Sequence, residues 1–555
     1  MPNLLPAKRP ARTRTLGVPA GALLGAVLAV PLAVLFYVGG QLADLPFVPF
    51  EFFDWMARTL PGSIITLGID TIVKGIGALG YRDISAAAKL AENILAVGGF
   101  LVAGAVLGGI LTLALRRWRP PAGPSQGLLT GLAAGLIAGV PALLIDLSMK
   151  RVAAVGPWAA SIWILCLFGA WGAAMGFILR RLDGLAPAGS TDASATVVDR
   201  RTFLISVGGA VATITVGGAW VGAMLSSLRD RERKIGRASG KPWSATLPLP
   251  NADTAVTPVR GTRPELTPVA EHYRIDINSI APVIPEGKWR LRIEGLVDRP
   301  MEWTLSELKD HYAPLHQFVT LACISNPVAG SLIGTQRWTG VPLRRLLEDV
   351  RPQKAAGYLV IRAADGFDES VALSSVMADD RIMLTYAWDG LPLTPEHGFP
   401  LRIYIPDRYG MKQPKWIESI ELTEGDVDGY WVRRGWDKEA RMKNTSVIDA
   451  IGVDMMIVGA DSKTRVPIGG IAHAGARGIS KVEVQVDGGA WREALLREPI
   501  SGTTWVLWRY DWPFEKGKHT FTVRCTDGKG ELQAEKRSPP HPSGATGLDE
   551  KSAML

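Results

Sequence analysis

One cysteine stands between an apolar run and a polar loop in the stretch "TLACISNPVAG" (320–330). Cys323 is one of three cysteines among 555 residues. As a buried small hydrophobe it needs no partner, which is the default for a lone cysteine. As half of a disulfide it would pair with Cys525, because Cys166 falls inside a long apolar segment. As a metal ligand it would act almost alone, since no second Cys or His lies at zinc-like spacing. All three interpretations stay open at this point.

The composition divides the chain into two kinds of segment. It is 47% hydrophobic yet 21% charged, with a net charge of +8. This combination predicts a membrane part joined to a water-soluble part. The positive charge does not require a nucleic-acid partner, and we expect none, because Lys and Arg also cluster beside membrane spans.

The first 225 residues predict an α-helical transmembrane domain of about five spans. Each apolar window is roughly 20 residues long, as a bilayer requires. The windows are 17–39, 94–115, 127–148, 158–179 and 203–225.

Basic residues predict the orientation of these spans. If the chain alternates, the basic flanks all fall on one side, which should be cytoplasmic. The flanking residues are Lys8, Arg9, Arg12, Arg14, Arg116, Arg117, Arg119, Arg180, Arg181, Arg200 and Arg201. With five spans in the cytoplasmic (inner) membrane, everything after Met224 lies outside the cytoplasm.

Two segments bear on this topology. Residues 63–80 would reverse it as a sixth span, but Asp70 and Lys74 would each cost about 2.5–3.5 kcal/mol in the bilayer. We therefore interpret that segment as interfacial. The sequence "DRRTFLISVGG" before the fifth span resembles a twin-arginine export signal, and a charged cytoplasmic flank is the alternative interpretation of Arg200 and Arg201.

The remaining residues predict two soluble domains. Residues 226–264 are rich in Pro, Thr and Ala, which is typical of a linker or of an arm lying over a surface. Short alternating runs and brief helices predict a mixed α+β domain over 265–442. Regularly spaced strands with Asp-Gly turns then predict an immunoglobulin-like β-sandwich over 443–545, followed by a tail at 546–555.

Several ordered motifs lie in these domains. Cys323 and Asn326 are followed by the run "RWTGVPL" (337–343), and further on come the stretch "HGFPLR" (397–402) and the pair Lys415-Trp416. The first group resembles the metal-ligand segment, and the second the pterin-binding segment, of the sulfite oxidase family of molybdopterin oxidoreductases. "HYRIDIN" (272–278) places Arg274 where the family has a substrate-facing arginine. The likeness covers about 265–545, ends on a sandwich like the family's dimerisation domain, and leaves out the membrane part.

The resemblance implies a Mo-molybdopterin cofactor with Cys323 as the protein ligand of the metal. A thiolate is a soft ligand that suits such a metal, so one cysteine suffices. Cationic and N–H donors would hold the pterin phosphate. The implied cofactor-binding residues are Tyr273, Arg274, Asp276, Asn326, Asp365, Ser370, His397, Arg402, Gly410, Gln413 and Lys415.

The implied catalytic residues are Cys323, Arg274, Arg477 and Trp436, and here the sequence departs from the family pattern. Sulfite oxidases carry an arginine shortly after the ligand cysteine, where this chain has Val328. Trp436 takes the place of a tyrosine near the metal. Arg477 matches the arginine of the sandwich, although its neighbour is His473 where the family often has Trp. This half-kept oxyanion pocket predicts poor turnover of sulfite.

The resemblance and the topology together predict a membrane-anchored, extracytoplasmic oxidoreductase. It would move an oxygen atom to or from a small substrate and exchange electrons with a separate partner, such as a cytochrome or a quinone-linked protein. Alternatives are a sulfoxide-type reductase of the same family and a non-catalytic membrane scaffold. A homodimer through the C-terminal domain is also expected.

Overall fold

A computed structural model describes residues 17–60, 84–118, 124–149, 156–184, 200–237, 241–459 and 461–555, together with positions 68, 71 and 75. The chain divides into two compact units, and both are interrupted in sequence. One comprises Met1–Thr59 and Ala91–Lys234, and the other Leu60–Leu90 and Ile235–Leu555. The segment 63–80, interpreted above as interfacial, lies outside the described residues except at those three positions.

Helices make up the first unit, and the described ones are α1 (Val18–Ala43), α2 (Val48–Thr59), α3 (Ile84–Trp118), α4 (Pro124–Ser148), α5 (Pro157–Gly184) and α6 (Arg200–Arg237). Of the helices within the described residues, five are long and apolar enough to cross a membrane. They coincide with the five predicted windows. The last helix continues to Arg237, beyond the predicted end of the fifth span at 225, so the first part of the predicted linker is helical.

Glycines bring pairs of these helices into backbone contact. A Cβ atom on Gly131 of α4 would lie 2.1 Å from the carbonyl oxygen of Gly172 on α5, and the reverse distance is 2.3 Å. On α1, a Cβ atom on Gly25 would lie 2.2 Å from the carbonyl oxygen of Gly104 on α3. Small residues allow such close approach, which is how helices associate when lipid gives no hydrophobic drive.

The part of the second unit before the C-terminal sandwich contains one mixed sheet, one antiparallel sheet and three short helices. The helices are α7 (Leu305–His311), α8 (Leu343–Val350) and α9 (Leu373–Ala378). Thr304 begins α7 with a capping box, since its side chain accepts from the Glu307 N–H while the Glu307 carboxylate accepts from the Thr304 N–H.

The strands of this part are β1 (Leu291–Gly295), β2 (Met301–Trp303), β3 (Leu315–Ala322), β4 (Ile333–Pro342), β5 (Tyr358–Ala363), β6 (Asp368–Ala372), β7 (Met383–Trp388), β8 (Leu391–Pro392), β9 (Arg402–Tyr404) and β10 (Ile417–Thr423). One sheet has the order β2-β1-β10-β5-β6, with β1 and β10 parallel. The other has the order β3-β4-β7-β8, and β9 also pairs with β7. In the second sheet, β3 ends directly before Cys323 and β9 begins at Arg402.

Two antiparallel sheets follow and pack face to face. Their strands are β11 (Thr445–Ile451), β12 (Ile457–Val458), β13 (Thr464–His473), β14 (Ile479–Val486), β15 (Arg492–Glu493), β16 (Leu495–Leu496), β17 (Val506–Pro513), β18 (Lys518–Asp527) and β19 (Asp549–Met554). The orders are β11-β13-β17-β16, with β12 also on β13, and β15-β14-β18-β19. Trp508 of the first sheet and Phe521 of the second are fully buried in their shared core.

The ends of this sandwich differ from the predicted boundaries. Residues assigned to a tail at 546–555 include β19, which pairs with β18 along six residues from Asp549 to Met554. The later part of the predicted linker is an arm over the sandwich. Arg497 donates to the backbone oxygen of Asn251 at 2.9 Å, and Arg263 lies 3.1 Å from Asp449.

Candidate active site

Cys323 lies directly after β3, at the start of a tight loop. Its N–H donates to the Leu332 carbonyl at 2.9 Å, and its Sγ lies 2.9 Å from the Ser325 hydroxyl. The residue is only 8% exposed. Burial raises the pKa of the Cys323 thiol, while the contact with Ser325 acts in the opposite direction. The sequence analysis did not single out Ser325.

The disulfide interpretation of Cys323 is wrong, because all three cysteines are free thiols. Cys525 instead lies in the sandwich core, where its Sγ donates to Gln533 Oε1 at 3.3 Å. Among the described residues no three His, Cys, Asp or Glu side chains come together as a metal site. A metal at Cys323 would therefore need its other ligands from a cofactor.

Asn326 shapes the loop that follows the cysteine. Its Oδ1 accepts the Leu332 N–H at 2.9 Å, and a Cβ atom on Gly330 would lie 2.3 Å from the same oxygen. Ala329 has a positive φ of 63°, which the tight turn imposes. Val328 is partly buried in this loop. The side chain of Asn326 thus holds the shape of the loop around Cys323.

A second group of predicted residues converges on the carboxylate of Asp276. Arg274 Nε lies 2.7 Å and Lys415 Nζ 3.4 Å from Asp276 Oδ2. The Asp276 side chain is 1% exposed and that of Lys415 is 11% exposed. These ionic groups are therefore shielded from water. Charges interact more strongly in such surroundings than they do in water.

Arg402, at the start of β9, belongs to the same charged group. Its guanidinium lies 4.6 Å from the ring centre of Trp338 and donates to the His397 carbonyl at 3.1 Å. Within the described part of the chain, its buried Nε has no hydrogen-bond partner. A buried cationic donor without an acceptor indicates a missing anion.

Burial lowers the pKa values of the cations in this group, and neighbouring cations add to the effect at Lys415. Burial lowers the pKa of Lys415 to about 8, with Asp276 opposing that effect and Arg402 adding to it. Burial also lowers the pKa of Arg402 to about 10. The pKa of Asp276 is lowered far below its usual range by Lys415 and other nearby cations, although burial alone would raise it. Neighbouring cations disfavour each other's charged form, and a bound anion would offset this effect.

Two histidines line this group and remain neutral. His397 Nδ1 lies 2.8 Å from the Thr394 hydroxyl, and its Nε2 lies 3.2 Å from the His272 carbonyl. Burial lowers the pKa of His272 to about 4 and that of His397 well below its usual range, and the nearby cations add to both effects. At neutral pH these rings therefore offer hydrogen bonds rather than charge.

Tyr273 and Gly410 connect the cation group to the cysteine. Burial, and secondarily the charge of a Cys323 thiolate, raise the pKa of Tyr273, while Arg402 acts in the opposite direction. A Cβ atom on Gly410 would lie 3.1 Å from the Tyr273 hydroxyl and 3.4 Å from the carbonyl oxygen of Ala322. The cysteine and the cations are therefore neighbours around one tyrosine.

Other predicted cofactor residues occupy hydrogen-bond networks of their own. Asp365 Oδ1 accepts the Phe367 N–H at 3.0 Å, and Gln413 Nε2 donates to the Arg408 carbonyl at 2.9 Å. The Ser370 hydroxyl donates to Asp426 at 2.7 Å. The carbonyl of Ser370 accepts from Lys412, which forms a buried ion pair with Glu369 at 2.6 Å. The sequence analysis did not identify that pair.

Arg477 and Trp436 complete the predicted set. Arg477 is bound to protein acceptors on several sides: Asp527 at 2.7 Å, Asn444 at 2.7 Å, the Met442 carbonyl at 2.8 Å and Asp407. Its side chain is 4% exposed. This arrangement argues for a structural role rather than the expected contact with substrate.

Trp436 packs with its ring centre 6.2 Å from that of Trp431 and 5.0 Å from that of His541. It shares an apolar cluster with Ala322 and Ile324, on either side of Cys323. Within the described ranges its buried indole Nε1 has no hydrogen-bond partner. The Trp436 ring therefore lies near Cys323, and its indole N–H is a hydrogen-bond donor there.

Comparison with known proteins shows the family to which the chain belongs. The model of a family described as oxidoreductase molybdopterin binding domain matches residues 278–431. An uncharacterized oxidoreductase of Bacillus subtilis, YuiH, is 33% identical over 153 residues, which cover 27% of this chain and 72% of that protein. The chain belongs to the sulfite oxidase family of molybdopterin oxidoreductases. It is therefore a molybdenum oxidoreductase by family.

Two more distant matches are an enzyme sequence and a solved structure. An NADPH nitrate reductase of Fusarium oxysporum is 27% identical over 256 residues, covering 38% of this chain and 28% of that enzyme. The chain thus spans less than a third of the length of that relative. The crystal structure of the sulfane dehydrogenase SoxCD from Paracoccus pantotrophus matches with a TM-score of 0.46 at 20% identity, over 56% of this chain and 86% of that one.

The residues present fit the molybdopterin cofactor of the sulfite oxidase family. The buried guanidinium of Arg402 has an unused Nε, and Lys415 and Arg274 add positive charge that an anionic phosphate would balance. One free, buried thiol lies beside them, as a single protein ligand requires. Arg402, Lys415 and Arg274 could thus bind an anion, and the thiol of Cys323, which lies close to them, could bind a soft metal.

Proposed function

We propose that this chain is a membrane-anchored oxidoreductase whose catalytic unit lies outside the cytoplasm. In this proposal it transfers an oxygen atom to or from a small substrate and exchanges electrons with a separate redox partner. The membrane-type helices and the sulfite oxidase family domain in one chain support the combination.

The buried excess of positive charge beside Cys323 carries the proposal. Arg274 and Lys415 contact Asp276, and Arg402 adds its charge beside Lys415. Tyr273 interacts electrostatically with both Arg402 and the thiol. A stable protein does not bury such charge without a counterion, because an uncompensated buried ion costs several kcal/mol (order of magnitude). The phosphate of a pterin cofactor is the anion that this family binds.

Each residue has a role that follows from its place. The bound cofactor would supply the redox chemistry of oxygen-atom transfer. Cys323 would provide the protein's sulfur ligand, and Arg402 and Lys415 would hold the phosphate by charge-assisted hydrogen bonds. His397, neutral and fixed by Thr394, would donate or accept one hydrogen bond beside it. Asn326 would keep the loop that carries the cysteine in shape.

The substrate would meet a mixed polar and apolar pocket. Arg274 is partly exposed, with a side chain at 25%, so it can present a donor to an oxygen-rich substrate. Val328 and Trp436 add apolar surface and one N–H donor near the cysteine. Such a pocket favours a larger and less charged oxygen donor or acceptor over a small dianion. A reductase acting on sulfoxides remains the alternative direction of the same chemistry.

The position of the catalytic unit follows from the basic flanks. Arginine-rich segments beside the candidate spans predict a cytoplasmic N-terminus and an extracytoplasmic C-terminal part. Electrons would then be exchanged with a cytochrome or a quinone-linked protein on that side. The C-terminal sandwich, whose immunoglobulin-like character stays a prediction, would form the homodimer contact.

Metal and pterin analysis of the purified full-length protein tests this proposal. We expect about one molybdenum and one pterin per chain, and redox turnover in at least one direction with a panel of sulfite, sulfoxides and N-oxides. Protein that folds and yet takes up neither metal nor pterin from a competent host would contradict the assignment.

A further inference from the structure

Lys89, at the beginning of α3, reaches the acid at the centre of the cation group. The residue belongs to the same compact unit as the catalytic domain, although it precedes that domain by almost 200 positions. Its Nζ lies 3.4 Å from Asp276 Oδ1 and 3.0 Å from the carbonyl oxygen of Asn278. The Lys89 side chain is 15% exposed, so this contact is largely shielded from water.

Lys89 approaches a different oxygen of Asp276 from the other cations. Arg274 and Lys415 both face Oδ2, whereas Lys89 faces Oδ1. A second contact of Lys89, to the Asp276 carbonyl at 3.4 Å, lies on the backbone just after Arg274. Lys89 therefore forms an ion pair with one carboxylate oxygen and donates hydrogen bonds to the backbone that follows Arg274.

The charges around Asp276 leave room for one dianion. Four cations interact here, Lys89, Arg274, Arg402 and Lys415, against two carboxylates, Asp276 and Asp365. The difference, four minus two, is two positive charges. A phosphate monoester carries about −1.5 to −2 at pH 7. With Lys89 removed, three cations would face two carboxylates. One positive charge, rather than two, would then be left to balance the phosphate.

We propose that Lys89 is a positioning residue of the molybdopterin site, supplied by the segment that leads into the second candidate span. It holds Asp276 by one oxygen and so leaves Arg274 and Lys415 oriented towards the cofactor phosphate. This inference rests on the proposed function of the same site. Lys89 lies outside the matched family domain at 278–431, so the family resemblance gave no reason to select it.

Cofactor retention by the full-length holoenzyme tests this role. Protein is purified in detergent, diluted, and the pterin released over time is measured by its fluorescence after oxidation. We expect Lys89→Met and Lys89→Gln to release pterin roughly ten-fold faster or more, since a hydrogen bond to a charged group is typically worth that factor. Lys89→Arg, which keeps the charge, should restore most of the retention.

Two comparisons separate positioning from general stability. Lys354→Met removes an exposed lysine of the same unit and should leave pterin release unchanged. If Lys89 acts through Asp276, combining Lys89→Met with Asp276→Asn should accelerate release no more than Asp276→Asn alone.

Specific outcomes would overturn the inference. Wild-type release rates in both Lys89→Met and Lys89→Gln would exclude the role, as would strictly additive losses in the double variant. Absence of pterin from the unmodified protein is a different result, because it would contradict the proposed function and not the role of Lys89 alone.

Discussion

At the scale of single residues, Cys323 is a free, buried thiol at the start of a well-defined loop. The Asn326 side chain and the Leu332 backbone hold that loop. Arg274 and Lys415 form a separate set around Asp276. In the proposed function, binding of the pterin and ligation of the metal therefore rest on different side chains, and substitutions can distinguish them.

We expect Cys323→Ser to keep much of the pterin and to lose nearly all turnover. The cations that hold the phosphate are unchanged, whereas a hydroxyl is a harder ligand that does not replace a thiolate. Pterin content and steady-state redox rates measure the two effects. Cys525→Ser, in the sandwich core, is the matched control and should keep turnover per folded molecule. Near-normal activity of Cys323→Ser would contradict the ligand assignment.

A second prediction concerns the loop position where the family has arginine. Val328→Arg should lower the apparent KM for sulfite, because a charge-assisted donor adds about 1.5–3 kcal/mol. That corresponds to roughly 10- to 150-fold in affinity for a small dianion. Steady-state kinetics with Val328→Gln as the uncharged control give the comparison. The unmodified protein oxidising sulfite at low micromolar concentration would show that the pocket argument is wrong.

The sequence identified part of this site because the motifs carry short, ordered spacings. His397 and Arg402 lie five positions apart, and both the loop and β9 bring them to one place. Ser325 and Lys89 were not found. A serine beside a cysteine has no distinctive pattern, and Lys89 is brought in over a separation of 187 positions from Asp276. Arg477 was selected by the resemblance, yet its acceptors lie on three distant segments that no local pattern reveals.

At the scale of elements, glycine faces set how closely the membrane-type helices pack. The α4–α5 pair depends on Gly131 and Gly172, each against the backbone of the other. The sequence analysis identified the apolar windows, but not which helix faces which. Apolar windows reveal length and polarity only, since all faces of such helices are hydrophobic.

We expect Gly131→Leu to separate this pair and destabilise the helical unit. A Cβ there would lie 2.1 Å from a backbone oxygen, which cannot move aside as a flexible side chain can. Overpacking typically costs about 1–3 kcal/mol or more. Gly98→Leu on α3 is the control, because nothing lies within 4 Å of a Cβ at that position. Thermal unfolding in detergent measures both, and equal stability of the two variants would contradict the packing.

Arg477 gives a second prediction at this scale, because it ties strands and loops of the catalytic unit together. Arg477→Met should lower the free energy of unfolding by about 3–5 kcal/mol, since it leaves the buried Asp527 carboxylate without its cation. Arg260→Met breaks a pair whose side chains are 77% and 72% exposed, and should cost less than about 1 kcal/mol. The two midpoints of thermal unfolding, followed by tryptophan fluorescence, provide the measurement. A substrate role alone would instead leave stability unchanged and raise KM.

At the scale of the whole molecule, the positions of the apolar helices are what the sequence predicts most directly. Five apolar helices and their basic flanks follow from composition, and the structure places helices at all five windows. The domain borders were less predictable. Strand β19 and the arm at 251–264 contact the sandwich through residues that are distant in sequence. The composition suggested an arm there, but not the surface over which it lies.

An impermeant, cysteine-reactive probe tests this topology in intact cells. A cysteine introduced at Lys516, an exposed position of the sandwich, should be labelled before lysis if the catalytic unit is extracytoplasmic. A cysteine introduced at Ser194, in the segment that the basic flanks predict to be cytoplasmic, should be labelled only afterwards. The reverse pattern would invert the orientation and favour the six-span alternative.

The pairing of Lys89 with Asp276 also sets an order of events in biogenesis. Four candidate spans separate the two residues along the chain, so the contact can form only after all four have been inserted and both segments share one side of the membrane. If the catalytic unit acquires its cofactor while still in the cytoplasm, it does so with Arg274 and Lys415 alone around that carboxylate. Membrane insertion would then be the step that completes the binding site and locks the cofactor in place.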